Sequence, residues 1–118
     1  MANQIQEKSY LFAVRIVNLY KYLRKTDVDI SLLKQLIRCG TSIGANVAEA
    51  QHAQSKADFI AKMHIAYKET AEAKYWLSLL TDTGYLSDKE SESILKDCCE
   101  LEGILTTLLK TIKLSKNS

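Results

Sequence analysis

The sequence predicts an all-α protein, an antiparallel up-down-up-down four-helix bundle, and three observations carry that prediction. Chain breakers are scarce: 118 residues include no proline and four glycines, which favours long helices over a turn-rich sheet. Apolar residues recur at spacings of three and four along four separate stretches, the period of a helix with one buried face. The breaks between those stretches span only about two to four residues, so consecutive helices must fold back on one another.

The first helix is expected over 4–25, with Phe12, Ile16, Leu19 and Leu23 along one face. Thr26-Asp27-Val28-Asp29 breaks it, and Thr26 or Asp27 is the expected N-cap of the next. The second helix spans 28–53 with Leu33, Ile37, Gly40, Gly44 and Val47 as its seam. Ser55-Lys56-Ala57-Asp58 resembles a capping box, with Asp where Glu or Gln is usual. It opens the third helix, 56–83, whose seam is Phe59, Met63, Ala66, Thr70, Ala73, Leu77 and Leu80. Gly84 sits where a left-handed cap is wanted. Ser87-Asp88-Lys89-Glu90 is a full capping box and starts the fourth helix, 88–114, with Ile94, Cys98, Leu101, Leu105, Leu108 and Ile112 inward. Residues 115–118 are expected to fray. Residues 1–118 therefore form one domain.

Apolar surface exceeds what one bundle core needs. Helix 3 carries a second stripe of Ile60, His64, Tyr67, Ala71 and Tyr75 beside Trp76. Helix 1 adds Tyr10, Val14 and Val17, and helix 2 adds Ile43 and Ala50. Wide core faces and an oligomer interface both account for this excess.

Composition excludes several classes. The longest apolar runs fall far short of the roughly 20 residues that span a bilayer, and Met1–Lys8 lacks the apolar core of a signal peptide. The three cysteines, Cys39, Cys98 and Cys99, are odd in number and form no Cys-x-x-Cys, as expected of reduced thiols in a cytoplasmic protein with no membrane partner. Glu49-Ala50-Gln51-His52 is half of a di-iron carboxylate motif, but no second Glu-x-x-His exists. Cys98-Cys99 is too close for zinc spacing. Gly40-Thr-Ser-Ile-Gly44 lacks the Lys-Ser/Thr ending of a phosphate loop. No metal, no cofactor and no catalytic role are expected.

Charge is modest overall, +2, but unevenly placed. Lys8, Arg15, Lys21, Arg24 and Lys25 face only Glu7 within the first 26 residues, and Lys110 and Lys113 lie near the other terminus. Asp88, Glu90, Glu92, Asp97, Glu100 and Glu102 make the start of helix 4 acidic. In an antiparallel bundle Lys21, Arg24 and Lys25 fall at one pole, and Lys8, Lys56, Lys110 and Lys113 at the other. With Tyr20 and Tyr22 as stacking partners, these cations are candidate nucleic-acid contacts, while lysines near helix C-termini also simply complement the macrodipole.

Gly40, Gly44 and Ala48 recur every four residues inside helix 2. Glycine there costs up to about 1 kcal/mol relative to alanine, so the stripe implies close approach of another backbone. Ser42, Asn46 and Glu49 flank it and are expected to specify a helix pairing across an interface.

The stretch Arg38-Cys-Gly-Thr-Ser-Ile-Gly-Ala-Asn-Val-Ala-Glu-Ala-Gln51, followed by Ser55-Lys-Ala-Asp-Phe59 and Tyr75-Trp76-Leu77, resembles the proteins encoded in intervening sequences of bacterial 23S ribosomal RNA genes, the S23-like family. The resemblance spans nearly the whole chain. It implies a four-helix bundle assembled as a ring-shaped homopentamer, and a more distant similarity to the accessory proteins of diversity-generating retroelements, pentamers thought to bind nucleic acid and a reverse transcriptase. A non-catalytic oligomer binding structured RNA through a basic pole is the function expected; a scaffold or accessory subunit for a partner enzyme is the alternative.

Overall fold

In the computed structural model, which describes the backbone of residues 2–117 and the side-chain surroundings of residues 4–113, four helices follow in the order α1 (Ala2–Leu23), α2 (Ile30–Ala50), α3 (Lys56–Asp82) and α4 (Asp88–Asn117). Each helix packs on its chain neighbours and α4 returns to α1, while α1 and α3 stand at opposite corners. The result is an up-down-up-down bundle about 51 Å long.

Capping chemistry accounts for the element boundaries. At α2 the N-cap is Asp29, whose carboxylate accepts the Ser31 N–H at 2.7 Å. Neither Thr26 nor Asp27, the positions expected from sequence, caps α2; Thr26 instead closes α1, its hydroxyl donating to the Leu23 carbonyl at 2.6 Å and accepting from the Val28 N–H. Helix α2 accordingly begins at Ile30, not 28, and stops at Ala50, not 53. Ser55 accepts the Asp58 N–H at 3.1 Å, and the shorter Asp58 carboxylate reaches back to the N–H of Gln54. Gly84 takes φ +90, and the N–H groups of Gly84 and Tyr85 bond the carbonyls of Thr81 and Leu80, a Schellman closure of α3. Helix α4 continues to Asn117, past residue 115 where the sequence predicts fraying. Ser118 lies outside the described residues.

Ser87 and Glu90 bond each other's backbone N–H reciprocally, at 3.1 and 3.2 Å. The Ser87 backbone N–H, and after it the Ser87 hydroxyl, hold the Glu90 carboxyl below its ordinary value of 4.5. A carboxyl depressed on folding adds stability above its unfolded value and loses it as pH falls through the folded one. Ser87→Ala is expected to lower stability by about 1 kcal/mol in urea unfolding at neutral pH. Only the part owed to the hydroxyl's effect on the carboxylate should disappear as the pH falls below 4.5 and Glu90 protonates; the lost cap of the Glu90 N–H persists at all pH values.

The core comprises Ile5, Phe12, Ile16 and Leu23 of α1, Leu33, Leu36, Ile43 and Val47 of α2, Met63, Leu77 and Leu80 of α3, and Ile94, Leu101 and Leu105 of α4. Helix α3 buries Met63, Ala66, Thr70, Ala73, Leu77 and Leu80, the seam read from its spacing, with Phe59 half-buried. Helix α2 differs from expectation. Leu36, Ile43 and Ala50 are buried while Ile37 and Gly44 are only partly so. The glycine edge of α2 meets α1, where no side chain is needed, and this turns the larger residues toward the bundle axis. Ile43 and Ala50 are therefore core, not spare surface.

Candidate nucleic-acid interface

Gly40 and Gly44 play the same part at two heights. A Cβ placed on Gly40 would meet the Ile16 side chain at 2.7 Å, and one on Gly44 would meet the Ser9 carbonyl oxygen at 3.1 Å. The glycine stripe thus seats α1 on α2 within one chain. Ala48, the third member, is exposed and shares a recess with Tyr10, Gly44 and His52. Asn46 donates to the carbonyl and hydroxyl of Ser42 on its own helix, at 2.9 and 3.0 Å. Glu49 pairs with Lys62 of α3 at 3.2 Å. Within the chain, then, the polar stripe bonds along α2 through Asn46 and across to α3 through Glu49.

The cations divide by what they touch. Lys8 pairs with Glu100 at 2.8 Å, and Arg15 bonds Asp97 at 2.7 Å and the Ser93 hydroxyl and carbonyl. Both are engaged in tying α1 to α4. Arg24 lies over the Tyr20 ring, 5.7 Å from its centroid. Lys21, Arg24 and Lys25 are exposed, but the same end of the bundle also carries Asp27 and Asp29 before α2, Asp82 at the end of α3, and Asp88 and Glu90 at the start of α4. At the opposite end Lys56, Lys110 and Lys113 are exposed and carry no ion pair among the described residues. Lys110 and Lys113 flank a recess of about 330 Å³ between α3 and α4, walled by Ile60, His64, Leu109 and Ile112. The Asp58 carboxylate beside Lys56 is occupied as a cap.

Across α2 and α3, Arg38 spans Glu69 and Glu72, and Glu72 also accepts the Trp76 indole N–H at 3.0 Å. Arg38 and Trp76 sit in segments singled out in the sequence, and the network they form with Glu69 and Glu72 ties α2 to α3. Cys39 and Cys98 are buried and Cys99 is exposed, all as free thiols. Burial, reinforced by Glu72, pushes the Cys39 thiol up to about 12. Burial does the same for Cys98, with Cys99 and Glu102 adding to it. Neither buried thiol can serve as a thiolate nucleophile near neutral pH. Among the described residues no three His, Cys, Asp or Glu side chains cluster to hold a metal ion, and no helix is long and apolar enough to cross a membrane.

The family model described as 23S rRNA-intervening sequence protein matches residues 1–107. The chain belongs to the 23S rRNA-intervening sequence protein family. A solved structure from Bacteroides thetaiotaomicron, described as a protein of unknown function from the S23 ribosomal protein family, superposes with a TM-score of 0.87 at 49% identity, covering 90% of this chain and 98% of that one. No curated protein matches the sequence. The superposition extends over nearly the whole bundle. Within this 23S rRNA-intervening sequence protein, sequence reasoning missed that Lys8 and Arg15 have acidic partners on α4. The alternation of acids and bases in the two helices is visible in the sequence, but the register that joins them is not.

Proposed function

We propose that this protein is a non-catalytic, ring-shaped homo-oligomer, a pentamer, that binds structured RNA through the bundle end bearing Lys56, Lys110 and Lys113. One observation carries the choice of end: these three cations are exposed and unpaired among the described residues, with Asp58 engaged as a cap. Lys21, Arg24 and Lys25, likewise unpaired, share their end with Asp27, Asp82 and Asp88, none of which caps a helix or pairs with a cation among the described residues. The family's description, which names an rRNA intervening sequence, makes RNA the first polyanion to test. Assembly supplies multivalency, since five copies of a chain with net charge +2 carry +10. Clustered lysines then displace counterions together, and affinity becomes steeply salt-dependent. The acidic opening of α4 (Asp88, Glu90, Glu92) supports the second reading, a scaffold for a basic partner protein.

Glutamine substitution separates the two ends. Replacing Lys56, Lys110 and Lys113 together is expected to weaken binding to a folded rRNA fragment by at least about tenfold. The log–log salt slope should fall by about 1 for each phosphate that is no longer neutralised. Replacing Lys21, Arg24 and Lys25 should change affinity by less than about twofold. Equal losses from both triple variants, measured by fluorescence anisotropy, would overturn the assignment of the end.

A further inference from the structure

Lys110 and Lys113 do more than mark one end of the bundle: they flank the recess of about 330 Å³ between α3 and α4. Its walls are carbon. Ile60 of α3 and Leu109 and Ile112 of α4 line it, each only partly buried, so aliphatic surface there lies open to water. His64, one turn beyond Ile60, completes the lining and stands edge-on to the Tyr67 ring, with 6.0 Å between centroids. No carboxylate is among the lining residues, and neither lysine has an ion-pair partner among the described residues.

Three other recesses differ. The larger one between α1 and α4 sets Glu90 beside Arg15 and Lys89. Its neighbour along that seam holds Glu7, Asp97 and Glu100 against Lys8. The recess beside Tyr10 and Gly44 is lined by no lysine, arginine or carboxylate. Between α3 and α4, by contrast, exposed ammonium groups stand beside a partly buried aliphatic wall. The matching ligand has an apolar body, which gains by leaving water, and an anionic head that meets the two cations. A nucleobase fits less well, because bases are held on aromatic faces and this wall is aliphatic. The volume is at the small end of ligand pockets, as a short chain requires.

We propose that the α3–α4 recess binds a small amphipathic acid, a medium-chain carboxylate. Its chain lies on Ile60, Leu109 and Ile112, and its head between Lys110 and Lys113. Binding there requires neither RNA nor assembly, although it engages two of the lysines assigned to RNA above.

The fluorescence of anilinonaphthalene sulfonate, an apolar anion, reads the site in the full chain. Wild type should bind it saturably. Lys110→Gln with Lys113→Gln should weaken binding about five- to tenfold, and Ile112→Gln should weaken it through lost apolar contact. Lys21→Gln with Lys25→Gln, at the other end, should leave it within about twofold. The lysines are exposed, so those variants should fold, and far-ultraviolet circular dichroism checks that they do. Decanoate should displace the probe from wild type, with decanol needing at least about fivefold more.

A Lys110/Lys113 variant that binds the probe as wild type does would overturn the assignment. So would decanol that competes as well as decanoate, or a wild type with no saturable site. Loss of the RNA reading alone would change none of these results, because no RNA is present in the titration.

Discussion

Replacing Gly40 by alanine should destabilise the protein by about 1–3 kcal/mol, although alanine is the better helix former. Propensity alone favours the substitution by about 1 kcal/mol. Against it stands Ile16, whose Cγ1, Cγ2 and Cδ1 would lie 2.7, 2.8 and 3.1 Å from the new methyl. Ile16 is fully buried, and two of those atoms are attached directly to its Cβ, so no terminal rotation moves them away. The side chain or the whole of α1 must shift. Ile16→Ala removes all three atoms and costs about 2–5 kcal/mol by itself through the cavity it leaves. In that background Gly40→Ala should become stabilising, by about 1 kcal/mol, because only the propensity gain remains. Ile16→Val keeps both Cγ atoms and should give no such rescue. Denaturant unfolding of the cycle reads this reversal directly. Additive effects in the double mutant would show that the glycine is not there for α1.

Alkaline pH should unfold the protein through its buried thiols. Cys39 and Cys98 are raised from 9.0 to about 12, chiefly by burial. An acid whose proton is held more tightly in the folded state contributes stability that is complete below the unfolded value and is lost as pH rises toward the folded one. Between pH 9 and 12 each thiol should therefore cost up to about 1.4 kcal/mol per pH unit, on top of the tyrosines. Tyr85 acts in the same direction: burial and the neighbouring Asp27 raise it above 10.0. Cys39→Ala with Cys98→Ala should flatten the alkaline limb of a stability–pH profile, even if stability near neutrality falls. The same burial predicts that a thiol reagent modifies Cys99 quickly and reaches Cys39 and Cys98 only as the chain unfolds. Rapid modification of all three in the folded protein would contradict the packing of α2 and α4.

Where one physical signal acts alone, sequence and structure agree. The α3 seam from Met63 to Leu80 has a single polar member, Thr70, and its hydroxyl is satisfied by backbone carbonyls of its own helix. Ser87 and Glu90 have the spacing of a reciprocal cap and form one. Sequence and structure part where signals compete. Thr26, Asp27 and Asp29 are all good N-caps within four residues, and tertiary packing of Val28, only 9% exposed, selects Asp29. On α2 the spacing places both glycines on the core seam; Gly40 is buried there against Ile16, whereas Gly44 is only partly buried and marks the edge that meets the α1 backbone. The candidate site is legible in the sequence as a set of lysines and arginines but not as free or paired ones. Arg15 and Asp97 are 82 residues apart, and only the α1–α4 register makes them partners.

Whether an oligomer of this weakly basic chain binds structured RNA is decided by fluorescence anisotropy of a labelled rRNA fragment, titrated with purified wild-type protein across a salt series, with duplex DNA alongside. Saturable RNA binding is expected, with a log affinity that falls linearly and steeply with log salt. Absence of RNA binding at low salt would contradict the RNA reading and transfer the weight to the acidic start of α4 as a docking surface for a basic partner protein.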